Sequence, residues 1–281
     1  MEQVKAVSEL RRCIAAWRND GETIAFVPTM GNLHQGHLAL VEQAKKIATR
    51  VVVSIFVNPM QFSKGGDFDC YPRTLAQDSD ALEKCGVDIL FSPKTSEMYP
   101  TGSGKTTRVE VPGVSDILCG AHRAGHFIGV ATVVTKFFNM VQPDIAVFGK
   151  KDYQQLHIIK RMIADLAMPI KILGVDTLRE SSGLAMSSRN SYLTPKEKQH
   201  AALIYQLLLD IAEKIRNGDE DHENLSLYGM KKLKESGFSP DYVEIRRRDN
   251  LEKTGQGQTN LVILIAAQLG KARLIDNLEI L

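Results

Sequence analysis

Val27-Pro-Thr-Met-Gly-Asn-Leu-His-Gln-Gly-His37 follows directly on the apolar run Thr23-Ile-Ala-Phe-Val27. A short apolar run rich in β-branched residues, broken by proline and glycine and followed by a helical-period segment, reads as a strand, a turn and a helix start. The stretch also places two of the chain's seven histidines three positions apart around a glycine. The first turn of a helix carries unsatisfied N–H groups and partial positive charge, so it favours an anion, and Gly31 and Gly36 let that anion approach the backbone. His34 and His37, three apart on the incipient turn, can face one ligand. The helix terminus favours neutral imidazole, whereas a bound polyphosphate pushes it towards imidazolium. The blander reading is that both rings cap and pack a βα turn.

Outward from this stretch, strand-like runs and helical segments alternate as far as residue 176. After TIAFVP comes a helix from near Gly36, the strand VVVSIFV, a helix near Leu75 to Cys85 and the strand DILFSP. A helix around Val130 to Met140, the strand DIAVFG, a helix from Tyr153 to Leu166 and the strand IKILGVD complete the series. Continuous apolar strands imply a parallel sheet buried on both faces, so the expected fold is a doubly wound α/β domain with ligands at the carboxyl ends of its strands.

Beyond Asp176 the pattern changes. Thr194-Pro-Lys-Glu-Lys is a helix start, with threonine as N-cap and proline first, and the helix is expected to run through AALIYQLLLDIAEKIRN to Gly218. A second helix near Glu223 to Glu235 precedes three strand-like runs, Asp241-YVEIRRR, Leu261-VILIAAQ and Ala272-RLIDNL, with turn residues such as Gly255-Gln-Gly257 between them. They suggest a smaller antiparallel α+β domain. The junction falls between about 176 and 190, giving expected domains 1–180 and 181–281.

With 281 residues, 43% of them hydrophobic, the chain can bury an ordinary core. A net charge of +2 announces neither a nucleic-acid nor a membrane-surface binder. No run approaches the roughly 18 apolar residues of a membrane span, and the N-terminal MEQVKAVSELRRC has no signal-like core. A cytoplasmic protein with no membrane partner is expected. Cys13, Cys70, Cys85 and Cys119 are widely spaced, which fits reduced thiols better than a zinc or disulfide framework.

Other stretches carry chemistry at strand ends. Phe148-Gly-Lys-Lys-Asp-Tyr-Gln-Gln155 repeats the strand, glycine and helix logic with Lys150 and Lys151 available to neutralise phosphate. Ser181-Ser-Gly-Leu-Ala-Met-Ser-Ser-Arg-Asn190 supplies hydroxyls and Arg189 near the domain junction, able to close over a nucleotide. Val57-Asn-Pro-Met-Gln-Phe62 is expected to project Asn58 and Gln61 towards a small polar ligand. Gly102-Ser-Gly-Lys105-Thr106 resembles the tail of a phosphate loop, but Tyr99 stands where the motif needs glycine, and Thr107 to Pro112 reads as a strand, not a helix. Arg246-Arg-Arg248 reads as solvated surface.

Taken in order, VPTMGNLHQGH, SIFVNPMQF, YPRTL, GHFIGVATVV, FGKKDYQQL and LAMSSRN closely resemble the pantothenate synthetase (pantoate–β-alanine ligase) family, of the H-x-G-H nucleotidyltransferase superfamily, over roughly residues 20 to 195. The resemblance implies a Rossmann-like domain and an ATP-dependent ligase. In that reaction the carboxylate of (R)-pantoate attacks the α-phosphate of ATP, pyrophosphate leaves, and the β-alanine amine attacks the bound pantoyl adenylate to give pantothenate and AMP. It also implies Mg²⁺ held mainly through phosphates, with no protein ligands assigned, and a homodimer without nucleic acid.

Carried over by position, the ATP contacts are Met30, Gly31, Asn32, Leu33, His34, Gln35, Gly36 and His37, then Gly149, Lys150, Lys151 and Asp152, then Leu178, and finally Met186, Ser187, Ser188 and Arg189. The resemblance makes His37 the proton donor and Gln61 and Gln155 the pantoate-orienting glutamines, Gln61 also meeting β-alanine. His34, His37, Lys151 and Arg189 form the expected catalytic set. Departures from the family pattern are modest: Lys150, Leu178 in place of a common valine, and Cys119-Gly-Ala-His-Arg before GHF. Two other readings stay open, another adenylyl-forming nucleotidyltransferase and a non-catalytic nucleotide sensor.

Overall fold

The run before the double histidine forms a strand, Ile24–Thr29, buried at every position but Pro28. In the computed structural model, which describes residues 1–62, 68–255 and 257–280, it stands inside a six-stranded parallel sheet. The chain divides into two units, Met1–Lys150 with Gln155–Asp176, and Lys151–Gln154 with Thr177–Leu281.

Along the chain come β1 (Glu2–Val4), α1 (Val7–Asn19), β2 (Ile24–Thr29), α2 (Gln35–Ile47), β3 (Arg50–Ile55), α3 (Leu75–Lys84) and β4 (Ile89–Phe91). Two single turns, α4 (Thr95–Met98) and α5 (Cys119–His122), precede α6 (His126–Val141), β5 (Ile145–Gly149), α7 (Tyr153–Asp165) and β6 (Lys171–Val175). The expected βα alternation holds. Thr107 to Pro112, read as a strand, forms no regular element; the Val109 N–H donates to Thr132 Oγ1 on α6 (2.9 Å) instead of to a neighbouring strand. The edge strand β1 and the helix α1 lie outside the expected series.

Strand order is β1-β4-β3-β2-β5-β6, all parallel. The sheet grows from β2 through β3 in one direction and restarts at β5 in the other, so the topological switch lies between β2 and β5. Pairing there is short. β2 and β3 pair at six positions, but β2 and β5 pair only at Ala25↔Ile145 and Phe26↔Ala146. Pro28, which has no N–H to offer, stands in the part of β2 beyond that ladder. The two strands therefore leave an unladdered crevice at their carboxyl ends, directly before Met30 and Lys150. The largely apolar helix α6 packs Phe137 and Phe138 against Phe26 with ring centroids 5.6 and 6.4 Å apart.

The second unit carries α8 (Pro195–Ala201), α9 (Leu203–Arg216), α10 (His222–Glu235) and the antiparallel sheet β7 (Ser239–Arg247), β8 (Leu261–Leu269) and β9 (Ala272–Ile280), with β8 in the middle. Ile204, Leu208 and Ile211 of α9 share a core with Ile263 and Ile265 of β8. The single helix expected from Thr194 to Gly218 is divided at Ala202, whose N–H donates to Gln199 O in a tighter three-residue turn (3.4 Å), while its carbonyl accepts both the Tyr205 and the Gln206 N–H (3.1 and 3.3 Å). Arg246 also departs from its surface reading: it is buried and pairs with Glu244 (3.1 Å), while Arg247 pairs with Asp249 and Arg248 with Glu279. Every arginine of the triplet thus has a carboxylate. Of the turn Gly255-Gln-Gly257, Gln256 lies outside the described residues.

Thr194 forms a reciprocal cap: Glu197 N–H donates to Thr194 Oγ1 (3.3 Å) and Thr194 N–H to Glu197 Oε2 (2.8 Å). Thr194→Ala is expected to lower the stability of the second unit by about 1 kcal/mol, measurable by urea unfolding. Among the described residues no helix is long and apolar enough to cross a membrane. None of the four cysteines is in a disulfide.

Candidate active site

The loop between β2 and α2 is held from beneath. Thr29 Oγ1 donates to Ser54 O (2.8 Å) and accepts the Gly31 N–H (3.2 Å). Gly31 has φ +83°, which favours glycine, and a Cβ there would be crowded at 3.0 Å from Ile55 Cγ2 and 3.1 Å from Asp78 Oδ2. The chain then passes through Asn32, also left-handed at φ +51°. Asp78 of α3, 3% exposed, explains how this turn persists: its carboxylate accepts the N–H groups of Asn32 (2.9 Å) and Leu33 (2.8 Å) and the Thr74 hydroxyl (3.1 Å). One buried anion thereby fixes two consecutive peptides of the expected ATP loop.

The histidines settle their own tautomers. Gly36 N–H donates to His34 Nδ1 (3.1 Å), and His34 N–H donates to His37 Nδ1 (3.3 Å), a capping box built from imidazoles at the start of α2. A nitrogen that accepts a hydrogen bond has no proton, so each neutral ring carries its proton on Nε2. The rings lie 4.0 Å apart, centroid to centroid. The same residues that serve as caps therefore carry Nε2–H donors.

Gln61 is reached through a buried amide network. Asn58, expected to face a ligand, is instead 1% exposed and saturated: Nδ2 donates to Gln61 Oε1 (3.1 Å) and Gly129 O (3.0 Å), while Oδ1 accepts Tyr99 OH (2.7 Å) and Met60 N–H (3.3 Å). Burial pushes the Tyr99 phenol far above its ordinary range, keeping it a hydrogen donor. Gln61 Nε2 contacts Met30 Sδ (2.8 Å), so the expected pantoate glutamine adjoins the start of the ATP loop. Its carbonyl accepts His126 Nδ1–H (2.7 Å), a tautomer consistent with Arg123 Nη1 donating to His126 Nε2 (3.0 Å).

Gly129 of α6 lets this segment approach. A Cβ there would fall 2.2 Å from Met60 O and 2.6 Å from Gln61 N. Gly129→Ala is expected to destabilise the first unit by about 1–3 kcal/mol and to raise the pantoate KM several-fold by displacing Gln61. Thermal denaturation together with substrate titration would check both effects.

At the second strand end, the Lys150 ammonium lies 2.6 Å from Asp176 Oδ1, so a carboxylate already offsets its charge. Gln155 is half-buried on α7. Lys151 differs from its neighbour. Only 19% of its side chain is exposed, its nearest carboxylate oxygen among the described residues, on Asp152, is 3.9 Å away, and it lines a small cleft of the second unit with Ser187, Asn190, Tyr205 and Asp276.

The expected nucleotide segment Met186, Ser187, Ser188 and Arg189 belongs to the same unit. It leaves a narrow hairpin in which Arg179 bridges Ala185, Glu180 N–H donates to Leu184 O (2.8 Å) and Met186 N–H to Leu178 O (3.0 Å). Ser187 caps the following helical turn by accepting the Arg189 N–H (3.3 Å), and Asn190 Nδ2 donates to Ala185 O (3.1 Å). The loop is stitched at its base, and the half-exposed Leu178 stands at its start. The structure thus groups Met30, His34, His37 and Gln61 in the first unit, and Lys151 with Ser187 in the second.

The donor set also bears on metal. The imidazole Nε2–H groups suit phosphate oxygens, whereas the N–H groups of Gly31, Asn32, Leu33, His34 and Gly36 already donate to Thr29, Asp78, His37 and His34, and Asp78 is engaged by three donors. Among the described residues no group of three or more His, Cys, Asp or Glu is placed to hold a metal ion. These donors fit the phosphates on which a divalent cation would be carried.

Comparison with known proteins gives a consistent result. The family described as pantoate-beta-alanine ligase matches residues 2–279. A pantothenate synthetase of Shewanella baltica (strain OS223) is 56% identical over 273 residues, 97% of each chain. The crystal structure of pantothenate synthetase from Thermus thermophilus superposes with a TM-score of 0.92 at 44% identity, covering 99% of both chains. The ligase of Francisella tularensis, complexed with beta-gamma ATP and beta-alanine, superposes at 0.82 with 34% identity, covering 99% of this chain and 97% of that one.

Proposed function

The chain belongs to the pantoate–β-alanine ligase family and is an enzyme joining pantoate to β-alanine; we propose that it does so in two steps, through a pantoyl adenylate. A pantoate carboxylate oxygen bonds to the α-phosphorus of ATP while the bond from that phosphorus to the departing pyrophosphate breaks. The β-alanine amine then attacks the acyl carbon, AMP leaves with its oxygen, and the amine loses a proton. Two anions meet in the first step, so the groups that oppose their repulsion govern its rate.

The observation that carries this reading is the locked turn at the carboxyl end of β2, with its two imidazole Nε2–H donors, beside the crevice where β2 and β5 cease to pair. His37 Nε2–H donates a hydrogen bond to the departing pyrophosphate, and His34 Nε2–H bonds phosphate oxygen. The ATP contacts are Met30 to His37, Gly149 to Asp152, Leu178 and Met186 to Arg189. Lys151 and Arg189 supply fixed positive charge. Gln61 and Gln155 orient pantoate so that its oxygen lies in line with phosphorus. Mg²⁺ bound through the phosphates would supply further charge neutralisation there. We place the enzyme in the cytoplasm, where its four thiols stay reduced, and expect a homodimer, which light scattering will test.

The deciding experiment is exchange of labelled pyrophosphate into ATP, with and without pantoate. Exchange that requires pantoate is expected. Binding of ATP without exchange would identify a sensor, and exchange driven by a different acid would identify another adenylyl-forming enzyme. In the same assay Gln61→Ala and Gln155→Ala are expected to raise the pantoate KM by about tenfold or more, with less effect on ATP. Equal effects on the two substrates would refute their assignment.

A further inference from the structure

Strand β9 lies at the edge of the second unit's sheet, paired on one side to β8. Its side chains alternate between two faces, so Asn277 and Glu279 share one and Asp276 takes the other. On the first face Asn277 Nδ2 donates to Lys151 O (2.9 Å), and Glu279 Oε1 accepts Tyr153 OH (2.9 Å). Two residues of the strand, two apart, thus hold two residues of the short segment that carries Lys151.

On the other face Asp276, 5% exposed, takes the Arg179 guanidinium in a two-point pair (2.5 and 2.9 Å). Arg179 also donates to Gly183 O (3.1 Å) and lies 3.7 Å over the Tyr205 ring. A Cβ on Gly183, where φ is +93°, would stand 2.7 Å from that ring. Arg179 is therefore the pin of the hairpin that ends in Met186. Asn277 N–H donates in turn to Asp276 Oδ1 (2.8 Å), tying the two faces together.

We propose that Asp276, Asn277 and Glu279 are positioning residues, a clamp by which the last strand sets both Lys151 and the Ser187 to Arg189 segment for the nucleotide. The assignment rests on the reading of those residues as ATP contacts. A planar two-point ion pair and a peptide carbonyl hydrogen bond fix direction as well as distance, and such placement is what a charge-stabilising lysine requires.

The test is steady-state kinetics of full-length Asn277→Ala and Tyr153→Phe, with Lys151→Ala and Asp241→Asn alongside. Asp241→Asn removes an ion pair to Arg273 of the same strand (2.7 Å) that touches neither segment. Asn277→Ala is expected to raise the ATP KM by about tenfold with the pantoate KM within about twofold. Tyr153→Phe, which deletes one hydroxyl and keeps the buried ring, should show the same selectivity at about threefold and serves if Asn277→Ala does not fold. Asp241→Asn should change neither KM. Unchanged ATP KM in the folded variants, or equal rises for both substrates, would overturn the clamp. If Lys151→Ala loses exchange while Asn277→Ala is normal, the clamp alone fails. If Lys151→Ala exchanges normally, the reading beneath it fails as well.

Discussion

Lys151→Ala is expected to slow pantoate-dependent pyrophosphate exchange by about 100- to 1000-fold, or about 3–4 kcal/mol of transition-state stabilisation, with the fold intact. Lys150→Ala, one residue away, is expected to stay within about threefold. In the sequence only the family resemblance separates the two, since both lysines follow the same strand. The structure supplies a physical reason: Lys150 already faces Asp176 at 2.6 Å, whereas Lys151 is mostly enclosed and its nearest carboxylate oxygen among the described residues lies 3.9 Å away. A partly desolvated ammonium acts on a nearby anion more strongly than one neutralised at the surface. His37→Ala should lose exchange to a comparable degree, because it removes an Nε2–H donor and also half of the cap on α2. A near-normal exchange rate in either variant would exclude that residue from the chemistry.

Asp78→Ala carries the second large effect. It leaves the part-buried Asn32 and Leu33 N–H groups and Thr74 hydroxyl without their shared acceptor, at about 1 kcal/mol for each lost hydrogen bond. The left-handed turn through Gly31 and Asn32 then loses the contact that holds it. A lower melting temperature is expected, together with an ATP KM raised by about tenfold or more. Asp78→Asn keeps one acceptor oxygen but turns an NH₂ towards an N–H, so it should fall between alanine and the parent. A parent-like ATP KM in Asp78→Ala would show that the turn holds its shape without the carboxylate.

Much of the first unit was legible because its information is local. Apolar runs such as Thr23 to Val27, the glycine at Gly31 and the histidine pair each announce themselves within a few residues, and the strand and helix follow at the expected places. Thr194 announced its helix in the same way. The break at Ala202 was not legible, because nothing in AALIYQLLL departs from helical periodicity. Asn58 misled for a related reason. An Asn-Pro pair after a strand looks like an exposed turn, and its burial depends on Tyr99 and Gly129, which come from distant parts of the chain.

The candidate site divides in the same manner. Its loops and their residue types stand in the sequence as short motifs, but the supports beneath them do not. Asp78 lies 46 residues from Asn32, and Asn277 lies 126 residues from Lys151. A carboxylate in a polar helix start or an amide near the end of a strand carries no local sign of the peptide it will hold.

By itself the sequence determined where the backbone turns and which side chains stand at the turns, since dihedral preference and hydrophobic period act between near neighbours. Only the tertiary structure decided which buried acceptor meets which donor, which lysine keeps its charge available and which nitrogen of each histidine bears the proton. Those choices depend on groups brought together by packing, where each buried polar atom must find a partner that the chain order does not specify.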